Sequence, residues 1–130
     1  LTLAARLARY RVVRGESAAV AELEAILHTQ QRLFGDADGE SIASAAYLSN
    51  ALRSSGQIER ARRLGEDLLA RVPVDVENAA PFESLMSETA IALGMSGDSE
   101  GALELQRRVI RSREARQGAT AFDVVASRAE

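Results

Sequence analysis

The stretch "LRSSGQIERA", Leu52–Ala61, decides the fold. A helix-compatible segment stops at Gly56, and a second begins at once on Ile58 and Ala61. Glycine enters the left-handed conformation that ends many helices without the penalty a Cβ would bring. Gly15, Gly56 and Gly97 are spaced by 41 residues, twice. Self-similarity at a fixed period is the mark of a repeat architecture. Three rows follow, 1–41, 42–82 and 83–123.

Other columns keep the same register. Five residues after the glycine stand Val20, Ala61 and Ala102, then Leu23, Leu64 and Leu105, then Leu27, Leu68 and Val109. This spacing puts one apolar stripe on a helix after each glycine. Before Gly56, the residues Ile42, Ala45, Leu48, Ser49 and Leu52 form a second stripe. Each row therefore reads as two antiparallel helices hinged at its glycine. Helices are expected near 1–14, 16–34, 40–55, 57–72, 80–96 and 98–117, with a partial seventh from about 119. Asp98 suits the N-cap of the sixth helix, and Pro81 the first turn of the fifth. "GDADGES" (35–41) and "VPVDVEN" (72–78) read as connections between rows.

Composition agrees with an all-α chain. Of 130 residues, 46% are hydrophobic and only 4% aromatic, and the apolar set is mostly Ala and Leu, which favour helix. All 16 basic residues are arginine, a bias typical of a GC-rich bacterial coding sequence. The net charge of −3 imposes no nucleic-acid or membrane partner. Cysteine is absent, which excludes disulfides, thiolate metal sites and a thiol nucleophile. No apolar run approaches the ~18 residues that span a bilayer, and no signal peptide is visible, so the expected compartment is the cytoplasm. The chain begins and ends inside expected helices, as a piece of a longer protein would.

The rows resemble tetratricopeptide repeats (TPRs). Row two carries the resemblance best, with Leu48, small Ser49, Leu52, Gly56, Ala61, Leu68 and Pro73 in the family's order. Gly65 departs from it, since the family usually has a large apolar residue there. The stretch 33–61 is similar to the longer-repeat subclass of kinesin light chains, although Ala46 and Tyr47 replace its paired asparagines. The resemblance implies a right-handed α-solenoid of three helix pairs, and 124–130 would start a fourth copy. It implies no enzyme, cofactor or metal, but a scaffold that binds a peptide or partner protein in its concave groove, as the regulatory arm of a larger protein. Carried onto this sequence, the groove would include Arg9, Val12, Asn50, Arg53, Ser54, Ser87, Ile91 and Met95. The structural positions are Gly15, Gly56, Gly97, Ala61 and Ala102. Asn50 and the arginines would hydrogen-bond a peptide backbone or carboxylate.

Nothing in the sequence builds a catalytic constellation. His28 is the sole histidine and reads as a helix-surface residue. "DADGE" (36–40) lacks the later ligands of a calcium loop. Arginines 60, 62 and 63, and 107, 108, 111, 113 and 116, read as solvated helix faces, with Glu104 opposite Arg108 one turn on. Two alternatives stand beside the groove. One is self-association through open repeat ends. The other is nucleic-acid contact by the arginines in a transcriptional regulator, which the acidic balance argues against.

Overall fold

Row two's hinge is built as its glycine requires. In a computed structural model, which describes residues 18–75 and 78–129, Gly56 has φ +82° and Gly97 φ +95°. Each closes the preceding helix with the same pair of hydrogen bonds. Gln57 N donates to Leu52 O at 2.8 Å and Gly56 N to Arg53 O at 3.0 Å; Asp98 N donates to Leu93 O at 2.9 Å and Gly97 N to Gly94 O at 3.2 Å. These are the two bonds of a Schellman motif, repeated one period later. A Cβ at Gly56 would meet nothing within 4 Å, so replacing it costs backbone strain alone. Gly56→Ala is expected to destabilise by about 1–2 kcal/mol in chemical denaturation, and Gly56→Asn by less. Equal stability of the alanine variant would count against the left-handed hinge.

The described residues form five α-helices and no strand: α1 (Ala18–Phe34), α2 (Gly39–Ser54), α3 (Ile58–Arg71), α4 (Ala79–Met95) and α5 (Ser99–Ala129). The first expected helix, with Gly15, Arg9 and Val12, lies outside the described residues. The starts of α2 and α5 are capped by aspartate. Asp38 accepts from Glu40 N at 3.0 Å, and Asp98 Oδ1 accepts from Gly101 N at 2.9 Å, as its N-cap position implies. Pro81 lies in the first turn of α4.

Each of α2 and α4 touches the helix before it and the helix after it, and the two touch each other. Repeat counterparts run parallel. Asn50 of α2 reaches Glu88 of α4, 38 residues on; Glu24 and Asp36 reach Arg60 and Arg71, 36 and 35 residues on. Neighbours in the chain run antiparallel, with Gly65 of α3 against Thr89 of α4. The core forms where the stripes meet, around fully buried Leu23, Ile42, Leu68, Phe82 and Leu85. Burying each such side chain contributes about 1.5–3 kcal/mol. The periodic positions lie in this core: Val20, Leu23, Leu27, Ala61, Leu68, Leu105 and Val109 are buried, and Leu64 and Ala102 pack against it.

The connection between α3 and α4 is held by Asn78, which is fully buried. Its Oδ1 accepts from Asp75 N at 2.7 Å, and its Nδ2 donates to Pro73 O at 3.2 Å and to Ala37 O at 3.1 Å. Ala37 is the residue one repeat earlier, so this side chain ties a connection to its own predecessor.

Two expectations need correction. The expected break near 117–119 is absent: α5 is one helix of 31 residues, Ser99–Ala129, and 124–129 continue it instead of starting a new copy. The reason is local. Row two ends its second helix at Val72–Pro73, but one period later stand Arg113 and Glu114. A lone glycine, Gly118, costs only about 1 kcal/mol inside a helix. Glu104 also pairs with Arg111 at 3.3 Å, seven residues on, and not with Arg108.

Candidate functional site

The sequence-expected groove residues separate into two groups. Asn50 and Arg53, one turn apart on α2, converge on Glu88 of α4. Arg53 Nη2 donates to Glu88 Oε2 at 2.8 Å, and Asn50 Nδ2 lies 3.4 Å from both Glu88 oxygens. The Arg53 and Glu88 side chains are 19% and 22% exposed, so water screens the pair only in part. Asn50 Oδ1 and Arg53 Nε are buried without a hydrogen-bond partner among the described residues. Ser54, next to Arg53, is exposed, as are Ile91 and Met95. Ile91 and Met95 lie three and seven residues beyond Glu88, so one edge of α4 passes from charge to apolar surface.

Ser87 and Ile91 instead line a second groove, of about 330 Å³, with Gln106, Val109, Ile110 and Arg113 of α5. It is the counterpart, one period on, of the groove between α2 and α3 that α4 fills.

Sequence reasoning missed Glu88. The available signal was chemical: Glu83 and Glu88 are the only charged residues in α4, "AAPFESLMSETAIALGM". A lone carboxylate in so apolar a helix needs a partner when it is not fully in water. Both have one. Glu83 is buried at the column where row two has Ile42, yet Arg116 Nε lies 2.9 Å and Ser112 Oγ 2.5 Å from its Oε2. Arg113 Nε is 3.6 Å from Oε1. The Arg116 hydrogen bond, helped by Ser112, holds the Glu83 carboxyl below its ordinary range against the opposing pull of burial.

Several of the other arginines meet acids. Arg62 bridges Glu59 at 2.6 Å and Glu66 at 3.0 Å, and its hydrogen bond lowers the Glu59 pKa. Arg60 pairs with Glu24, and Arg71 with Asp36 and with Asp67 at 3.0 Å. Asp36 and Asp38 of "DADGE" therefore serve an ion pair and a helix cap. His28 is exposed on α1. No described helix is long and apolar enough to cross a membrane. Compared with protein-family models, curated proteins and solved structures, the chain matches none.

Proposed function

We propose that the chain is a non-catalytic, TPR-like interaction scaffold that binds a peptide or partner protein across the edge formed by α2 and α4. The observation that carries this reading is the Asn50–Arg53–Glu88 cluster beside exposed Ile91 and Met95. It offers a donor, an acceptor and both charges next to apolar surface, which is the mixture that reads an extended peptide. Glu88 changes the expected ligand. With Arg53 already paired, a bare carboxylate gains little, and a segment with both donors and acceptors fits better. The parallel counterparts and the duplicated Schellman hinge support the solenoid reading. Placement in the cytoplasm of a bacterium, as part of a larger regulatory protein, belongs to the same proposal. With Arg60, Arg62, Arg111, Arg113 and Arg116 paired to carboxylates, a nucleic-acid face has less support.

Selection from a displayed random-peptide library tests it. Enriched peptides are expected to bind the chain in calorimetric titration and to lose about tenfold or more in affinity to an Asn50→Ala, Arg53→Ala double variant. Circular dichroism should show that variant still helical, because unpaired Glu88 keeps access to water. No enrichment, or affinity unchanged in the folded variant, sinks the groove assignment.

A further inference from the structure

Of the large hydrophobic side chains that stay exposed, four lie on α4 and α5: Ile91 (42%), Met95 (54%), Leu103 (48%) and Ile110 (54%), and Ile91 and Ile110 line one groove. Leu103 and Ile110 are seven residues apart, on one face of α5. Exposed apolar surface bordered by charge marks an interaction site.

The repeat indicates what sort of partner fits. One period earlier, the groove between α2 and α3 is filled by α4, which approaches so closely that Thr89 lies against Gly65. In the groove between α4 and α5, Gly65 is replaced by Gln106 and Leu69 by Ile110. A helix cannot seat as deeply over a glutamine. It can lie at ordinary helix–helix separation, about 8–10 Å, on the α5 ridge. The chain does not supply that helix itself within the described residues, because α5 runs straight on to Ala129.

The charges on this ridge identify the partner. Arg107 and Glu114 are exposed, and neither makes an ion pair among the described residues, whereas Glu104–Arg111 and Glu83–Arg116 are paired. Arg107 and Glu114 are seven residues apart and flank Ile110, so the ridge is self-complementary. Turned about a two-fold axis beside Ile110, each Arg107 meets the Glu114 of the other copy, and the Ile110 side chains meet at the centre.

We propose that α5 is a dimerisation helix: a second copy of this chain packs antiparallel along the Leu103–Ile110 ridge, locked by two reciprocal Arg107–Glu114 ion pairs. Such an interface is closed, with the same patch on both copies. The arrangement also gives the end of α5 a place. At 31 residues against 17 for α4, α5 is longer by about 20 Å. In the antiparallel pair its last turns run along the α4–α5 hinge of the other copy.

Sedimentation equilibrium of the wild type and three variants tests this. The wild type is expected to dimerise with rising concentration, and Ile110→Glu to remain monomeric while helical by circular dichroism. Arg107→Glu and Glu114→Arg each place like charges together twice, so each should raise the dimer dissociation constant about tenfold or more. Mixing these two variants restores both attractions, and a heterodimer of wild-type affinity is expected. A wild type that is monomeric throughout overturns the proposal and leaves the ridge bare or to another polypeptide. Dimers indifferent to all three changes, or charge variants that the mixture does not rescue, overturn it as well.

Discussion

Gly65→Ala is expected to destabilise the chain by about 3 kcal/mol or more, and Gly65→Leu to abolish cooperative folding. Helix propensity alone predicts the opposite sign for alanine, a gain of about 1 kcal/mol at a mid-helix glycine. Contact decides the matter. A Cβ built on Gly65 would lie 1.8 Å from Thr89 Oγ1 and 2.8 Å from both Thr89 Cβ and Cγ2. Rotating Thr89 does not clear the overlap, because its own Cβ is too close and it branches there. Thr89 is fully buried, and its hydroxyl donates to Leu85 O at 2.7 Å. The helices α3 and α4 must therefore separate, and overpacking of a close-packed interface typically costs about 1–3 kcal/mol before any cavities it opens are added. Thermal denaturation of a double-mutant cycle measures the contact. Thr89→Ala removes Oγ1 and Cγ2 but keeps Cβ, so it should rescue Gly65→Ala in part, with a coupling of about 1–3 kcal/mol. A Gly65→Ala chain as stable as the wild type would refute the close approach.

Gly65 also marks where sequence reading stops. The glycines at 56 and 97 were legible because a left-handed residue leaves a local signature: an apolar stripe before it, another after it, and the same pattern one period on. Gly65 serves a contact between helices, and nothing near it in the sequence names Thr89. It registered only as a departure from the family pattern. Glu88 was hidden for the same reason, since its partners Asn50 and Arg53 lie 38 and 35 residues away. The unbroken α5 was legible in principle, because Glu114 stands where row two has Pro73. The period of 41 hides this, because it sets 124–130 in register with the start of a row while the residue that ends the row-two helix has no counterpart. Asn50, Arg53 and Ile91 are expected groove positions on α2 and α4, but what each of them lines depends on neighbours 15–40 residues distant, which the local sequence does not name.

Glu83 is the second residue whose loss should be felt strongly, and it separates two roles that a stability measurement alone would merge. Its side chain is 4% exposed, whereas that of Arg116 is 47% exposed. Glu83→Ala removes the acceptor of Arg116 and Ser112 and leaves a small void under α5. The expected cost is about 1.5–3 kcal/mol, towards the lower end because water solvates the freed arginines. Glu83→Leu should cost far less. The column holds buried Ile42 in row two, and an apolar side chain often replaces a buried ion pair without loss. Both variants release α5 from α4 beyond Val109, so amide exchange over 110–117 should quicken in both, although only the alanine variant is substantially destabilised. The pH dependence has a definite sign. The Arg116 hydrogen bond holds the folded-state pKa of Glu83 below the ordinary carboxyl value, so its contribution is fully present above that ordinary value, about pH 4.3, and is lost as pH falls through the lower folded value. Glu83→Gln, which cannot titrate, should show a shallower fall in stability over that acidic window. If exchange at 110–117 is unchanged in the alanine and leucine variants alike, Glu83 does not anchor α5, and the straight helix is held by its own propensity.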